Sequence, residues 1–363
     1  MAAVLARACR LLSTTAARNS VYQDSYLDAL DRKKRSRSHE SKEFDTLGTW
    51  DTRLNVRIDE DATFKTGHVV PDIDISMIGV ASVIGRRPYQ EDRYCVKQLR
   101  SDILYLAMFD GHGGAGCAEY CQHHLERHLL HHLDRQPDPA QPDLQVVLEK
   151  SFRDVQRGFE RWYHSKGENL GRASSSGTTA TICLIQDNYR LHMGHCGDSR
   201  AILCREGQAL CLTRDHCASL PGEGERIRQA GGSVKTDTIG RVMVNDRLCM
   251  SRSIGDLELK KFGVSAEPEV GSKRIRHGAD QFLVLTSDGI NFVMQDQEVV
   301  DCVNQCEDCQ EGAARLVDQA LLYSCEDNAT AVIVPFGSWG KGDSSSSMFY
   351  SFGRNMSNSC RFS

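Results

Sequence analysis

The sequence predicts an α+β fold built on antiparallel sheet, and three observations lead to it. Short apolar runs of strand length recur at 78–84, 103–109, 178–186, 189–196, 199–205, 281–287 and 329–336, each bounded by turn signals. Between them, apolar residues fall at helical spacing over 114–133, 143–165, 223–230, 296–305 and 310–323. Three strand runs across 178–205 are separated only by turns at Asp187-Asn188 and Gly197-Asp198, which argues for hairpins rather than a doubly wound parallel sheet.

The 363 residues, 40% hydrophobic, suffice for one large core or two small ones. No stretch approaches the roughly 18 consecutive apolar residues that span a bilayer, and the greasiest run, ILYLAMF at 103–109, has strand length. A membrane span is therefore excluded. The net charge of −5 is mild and its signs are interleaved, so there is no extended basic face and no nucleic acid partner is expected. Fifteen cysteines, odd in number and often inside apolar runs, read as reduced thiols rather than a disulfide framework.

Residues 1–23 carry Arg7, Arg10 and Arg18 and no acid, the composition of a mitochondrial transit peptide. Arg7 and Arg10 interrupt any apolar core that a secretory signal would need. The basic run from Arg32 to Arg37 is a rival, nuclear address. A polar arm fills 24–75, the folded domain is expected over 76–340, and the serine-rich tail at 341–363 lacks a core pattern.

Carboxylates mark the strand ends. ILYLAMF runs into Asp110-Gly111-His112-Gly113-Gly114, and FLVLT into Ser287-Asp288-Gly289. Asp327-Asn328 precedes ATAVIVPF, Asp198 follows LHMGHCG, and Glu91-Asp92 stands ahead of them all, after Arg86 and Arg87. One Asp-Gly pair would mean only a turn. If these strands pack side by side, the acids converge, and so many like charges stay ionised only if cations neutralise them. All-oxygen donors suit Mg²⁺ or Mn²⁺ rather than zinc.

Seven segments, in order over roughly 77–336, resemble the metal-dependent, 2C-type protein phosphatases: RPYQED (87–92), DGHGG (110–114), SGTTA (176–180), GDSR (197–200), SRSIGD (251–256), SDGI (287–290) and Asp327-Asn328. The resemblance implies a four-layer α-β-β-α sandwich, two antiparallel sheets face to face with helices on both outer sides. It implies two Mn²⁺ or Mg²⁺ ions per subunit on Asp92, Asp110, Asp288, Asp327 and the Gly111 carbonyl. Glu91 would position water, and Asp198 would serve an outer or third metal. Two such metals suit hydrolysis of a phosphate ester without a covalent phosphoenzyme. Arg87 offers a guanidinium fork for the phosphate, with Arg86 the less favoured candidate. His112 would protonate the departing serine or threonine oxygen as a general acid. SGTTA and SRSIGD, with Asp256, would orient these groups.

Two departures stand out. Phe292 occupies a position where many relatives carry another aspartate, so a third-metal site should be weak or absent. Asp215-His216-Cys217-Ala218-Ser219-Leu220-Pro221 differs from the family's usual reading in a stretch leading to a flap, so substrate preference could differ. The leader, VNQC and PFGSWGK resemble the mitochondrial matrix branch of the family, which implies a phosphoprotein substrate in the branched-chain α-keto acid dehydrogenase complex.

Other signals are set aside. Cys302, Cys306 and Cys309 have an iron–sulfur spacing but read as one face of a helix. His124, His128 and His132 share a helix face that reads as solvated. Gly113 to Gly116 lacks the lysine of a nucleotide loop. The alternatives to a protein phosphatase are a non-catalytic phosphoprotein-binding module on the same fold, and a metal-dependent phosphodiesterase or small-molecule phosphatase.

Overall fold

Two five-stranded antiparallel sheets stack at the centre of the protein, each covered on its outer face by helices. The computed structural model describes residues 70–138, 141–166, 176–238 and 240–339. The expected leader at 1–23, most of the arm at 24–75, and the tail from 341 lie outside the described residues.

The chain lays down β1 (Gly79–Val83), β2 (Arg93–Arg100), β3 (Ile103–Phe109) and the short β4 (Gly111–His112), then two long helices, α1 (Gly116–Leu133) and α2 (Leu144–Ser165). Next come β5 (Gly177–Thr178), β6 (Ala180–Gln186), β7 (Arg190–Cys196), β8 (Arg200–Arg205) and β9 (Gln208–Cys211). An excursion follows, made of α3 (Pro221–Gln229), the hairpin β10 (Val234–Thr236) and β11 (Val242–Val244), β12 (Ile254–Gly255) and α4 (Leu257–Lys260). The fold closes with β13 (Glu269–Arg274), β14 (Asp280–Thr286), α5 (Asp288–Asn291), α6 (Asp296–Val303), α7 (Cys309–Leu322) and β15 (Ala329–Pro335). One sheet has the order β1-β15-β14-β8-β9 and the other β13-β7-β6-β3-β2.

Period-two alternation explains the layering. Along β3, Leu104, Leu106 and Met108 face the opposite sheet, meeting Leu283 and Leu285 of β14 and Val332 and Val334 of β15. The alternate residues Ile103, Tyr105, Ala107 and Phe109 face Leu125, Leu129, Phe152 and Phe159 of α1 and α2. On the far side, Val284 and Ile333 pack under Val299, Ala313 and Leu316 of α6 and α7. Both faces of each central strand are thus buried, which is why the sequence reads there as unbroken apolar runs. The result is the four-layer α-β-β-α sandwich.

Helix starts follow local chemistry. The Asp143 side chain accepts hydrogen bonds from the Gln145 and Val146 amides and begins α2, while Gln295 and Glu298 form a reciprocal capping box at α6. At the β6–β7 hairpin, Asp187 and Asn188 both take positive φ, 53° and 62°, as a tight two-residue turn requires.

Two readings need correction. Cys302, Cys306 and Cys309 do not share one helix face: α6 ends at Val303, and Asp308 caps a new helix at Cys309 by accepting from the Glu311 amide at 2.7 Å. The histidine face of α1 is only partly solvated. His124 lies against the Tyr120 ring, which packs on Phe159 and Trp162 of α2, and His132 Nε2 sits 2.8 Å from Asp154 Oδ2. The described cysteines are all free thiols, and no described helix is long and apolar enough to cross a membrane.

Candidate metal centre

Strand direction brings the acids together. β2 begins where its antiparallel neighbour β3 ends, with Arg93 opposite Phe109, so Asp92 and Asp110 emerge at one edge. β14 ends where β15 begins, with Thr286 opposite Ala331, so Asp288 and Asp327 emerge likewise on the other sheet. The two edges meet: Asp110 Oδ2 accepts a hydrogen bond from the Asp288 amide at 3.1 Å. Asp198, in the β7–β8 turn, joins through its carbonyl, which accepts from Asn291 Nδ2 at 3.3 Å.

The cost of this convergence appears in the protonation equilibria. Burial pushes Asp110 well above the usual carboxylate range, and the charges of Asp288, Asp92 and Asp198 push it further. Burial, together with neighbouring acids, raises Asp92 to about 6, Asp288 to about 7 and Asp198 to about 8. Asp198 Oδ1 is enclosed and has no hydrogen-bond partner among the described residues. Oxygen donors crowded this way, with one left unpartnered, fit hard divalent cations.

Among the described residues no three such side chains already surround a single point in ligating geometry, because several are turned to other partners. Thr330 Oγ1 donates to Asp92 Oδ2 at 2.6 Å, and the Arg87 guanidinium holds Asp327 Oδ2 at 2.5 Å. Among the described residues Arg86 reaches Glu326, at 3.8 Å. The Glu91 amide donates to Asn328 Oδ1 at 2.8 Å, and Gly111 lies so close to the Glu91 carbonyl that a Cβ there would sit 2.5 Å from it. Phe292 stands exposed and offers no oxygen donor.

His112 sits beside the acids on a three-stranded sheet of order β12-β5-β4. Gly177 at its centre pairs with His112 on one side and Gly255 on the other, which aligns His112 Nε2 with Asp256 Oδ2 at 2.8 Å. Burial disfavours the imidazolium, but the adjacent Asp256 carboxylate overrides it and raises the His112 pKa above the ordinary histidine value. Asp256 is itself lowered by His112 despite burial, and it also accepts from Ser253 Oγ at 2.5 Å. With Asp256 beside it favouring the protonated form, this side chain is equipped to donate a proton.

The structure therefore brings Glu91, Asp92, Asp110, Gly111, His112, Asp198, Asp288 and Asp327 to one end of the sandwich, with Arg87 at the rim. Three further contributors entered the sequence reading only as members of motifs, without a role of their own. A Cβ at Gly177 would fall 2.2 Å from Asp256 Oδ2 and 2.3 Å from His112 Nε2, so only glycine permits their pairing. Asn328 clamps the Arg87 loop by donating through Nδ2 to the Ile84 and Tyr89 carbonyls, at 2.8 and 3.1 Å. Arg200 grips Asp215 through Nε and Nη2 and also Asp296, anchoring the turn that carries Asp198. The SGTTA motif was the available signal for Gly177, and GDSR for Arg200.

The protein phosphatase 2C family model matches residues 82–329. Protein phosphatase 1K, mitochondrial, of Xenopus laevis is 42% identical over 319 residues, 88% of this chain and 83% of its own. Probable protein phosphatase 2C 59 of Arabidopsis thaliana is 34% identical over 261 residues, 71% of this chain and 79% of its own. The crystal structure of serine-threonine phosphatase 2C from Toxoplasma gondii shares the fold, with a TM-score of 0.63 at 24% identity, covering 71% of this chain and 94% of that one. The chain belongs to the protein phosphatase 2C family and is a metal-dependent protein serine/threonine phosphatase.

Proposed function

We propose that the chain hydrolyses phosphoserine and phosphothreonine with two Mn²⁺ or Mg²⁺ ions held by Asp92, Asp110, Asp288, Asp327 and the Gly111 carbonyl. The observation that supports this most strongly is the cluster of acids whose burial and mutual repulsion raise their pKa values, with the Arg87 guanidinium at its rim. Bound there, such ions would supply the Lewis acidity that lowers the pKa of water and neutralises phosphoryl charge. The protein's own groups do the rest. Arg87, 54% exposed in its side chain, offers its fork to the phosphate oxygens. Glu91 positions the attacking water. His112 gives its proton to the leaving serine or threonine oxygen, and Asp256 holds the imidazolium in place until it does. Asp198, with an unpartnered oxygen, serves an outer ion, weakly because Phe292 adds no ligand.

The proposal extends to place and partner. The acid-free, arginine-bearing 1–23 would be a cleaved leader, 24–75 an arm, 76–340 the catalytic domain and 341–363 a tail. A relative named as mitochondrial supports delivery to mitochondria. Residence in the matrix and action on the branched-chain α-keto acid dehydrogenase complex follow from the branch that the sequence resembles.

The test is phosphate release from phosphoserine, phosphothreonine and phosphotyrosine peptides and from a phosphodiester, with Mn²⁺, Mg²⁺ or chelator. Metal-dependent turnover confined to the serine and threonine peptides is expected. Peptide binding without turnover under any metal would leave the non-catalytic module, and preference for the diester would leave the phosphodiesterase.

A further inference from the structure

Away from the metal centre, α2 and the segment leading into β13 form an open surface pocket of about 310 Å³, lined by Glu149, Arg153, Gln156 and Arg157 on one side and Glu267 and Pro268 on the other. Its charges balance, two acids against two guanidiniums. They are weakly engaged: Arg153 reaches Glu267 at 3.6 Å with both side chains at least half exposed, and Arg157 reaches Asp154 only at 4.0 Å. Exposed pairs at such distances contribute little and are readily exchanged for a ligand.

The pocket also connects to the catalytic histidine. Gln156 Oε1 accepts a hydrogen bond from the Gly255 amide at 2.8 Å. Gly255 and Asp256 take positive φ in succession, 80° and 46°, and the second of these is a conformation that costs a non-glycine residue free energy. Asp256 then holds His112 Nε2. The Gln156 bond is thus one of the restraints on a strained turn whose next residue orients the proton donor.

We propose that this pocket is an effector site for a small zwitterion of the α-amino-acid class, acting on His112 through Gln156, Gly255 and Asp256. A simple anion would meet the two glutamates and a simple cation the two arginines. A molecule carrying both an ammonium and a carboxylate satisfies both pairs, its carboxylate on the Arg153 and Arg157 forks and its ammonium on Glu149 and Glu267. The volume lies at the small end of ligand pockets, which favours a single small molecule over a peptide segment. The effect on His112 rests on the general-acid role proposed above; the binding does not.

The test uses the full chain, ¹⁵N-labelled and metal-free, titrated with glycine, alanine or glutamate beside N-acetylglutamate and inorganic phosphate. Saturable movement of the Gly255 amide resonance by the amino acids alone is expected, and its loss in Arg153→Ala and Glu267→Ala. With Mn²⁺ and a phosphothreonine peptide, the same amino acids should change kcat by about fivefold, at the low end of allosteric couplings, in the parent only. Both variants should keep the parent's basal rate. No movement of Gly255, movement that survives in both variants, or equal movement by N-acetylglutamate or phosphate would overturn the site or its ligand class. Binding without a change in kcat would overturn the coupling. An inactive parent would instead strike at the phosphatase mechanism and leave the binding result standing.

Discussion

Two of the regions that bury carboxylates in this protein treat the charge in opposite ways. In the excursion between β9 and β13, Glu223 accepts hydrogen bonds from Arg226 at 2.6 and 2.8 Å, from Arg252 at 2.6 Å and from Ser251 Oγ at 2.5 Å. Burial pushes Glu223 up, but these partners outweigh it and hold the carboxyl well below its usual range. At the sheet ends, Asp92, Asp110, Asp198 and Asp288 are all raised, by burial and by one another. The fold can bring arginine to a buried acid where structure alone requires it. Where it instead gathers several acids, the missing positive charge is left for a ligand to supply.

The sharpest way to break that contrast is Asp110→Asn. Because an amide oxygen can still accept from the Asp288 amide, the fold should survive, and chelator-treated protein should melt no lower than the parent. kcat/KM on a phosphothreonine peptide with Mn²⁺ should fall by about a thousandfold, the several kcal/mol that metal catalysis supplies. A large drop in melting temperature would show that Asp110 is structural, as Glu223 is.

A smaller effect is expected at His112. His112→Ala should slow hydrolysis of a phosphoserine peptide by about a hundredfold and spare an aryl phosphate, whose phenolate leaves without a proton. Equal losses on both substrates would contradict a general acid.

Glu223→Ala should show the reverse pattern, costing about 2 kcal/mol in urea unfolding while Mn²⁺ affinity stays unchanged. Loss of Mn²⁺ binding in that variant would mean that the two regions are not independent.

The regions should also differ in the sign of their pH dependence. The raised acids bind more protons folded than unfolded, so metal-free protein should lose stability as pH rises from about 4 towards 8, where these groups ionise. Glu223, lowered by its partners, should add stability as pH rises to about 5, above which its contribution is complete. Unfolding midpoints across this range, with and without Mn²⁺, would check both slopes. A rise in metal-free stability from pH 5 to 8 would deny the repulsion.

The contrast also explains what could be read from the sequence. Strands buried on both faces, such as β3, β6, β14 and β15, announce themselves as apolar runs, and the acids at their ends came with them. The strands β2 and β13 at the edge of one sheet, β9 at the edge of the other, and the hairpin β10–β11 did not: RYCVKQLR buries only Cys95 and Leu99, and EVGSKR buries none of its side chains. Glu223 lies 29 residues from Arg252, and no motif joins them. Asp256 was legible as an orienting group, but its bond to His112 spans 144 residues and depends on glycine at 177, a steric fact visible only in three dimensions.

The most direct test of a cluster built for cations is calorimetric titration of Mn²⁺ into metal-stripped protein, in buffers of different ionisation enthalpy, which counts ions and protons together. Two ions per chain should bind, with proton release at about pH 6.5 as the raised acids ionise, and Asp110→Asn should diminish both. One ion or none, or two ions bound without proton release and with undiminished affinity in Asp110→Asn, would contradict it.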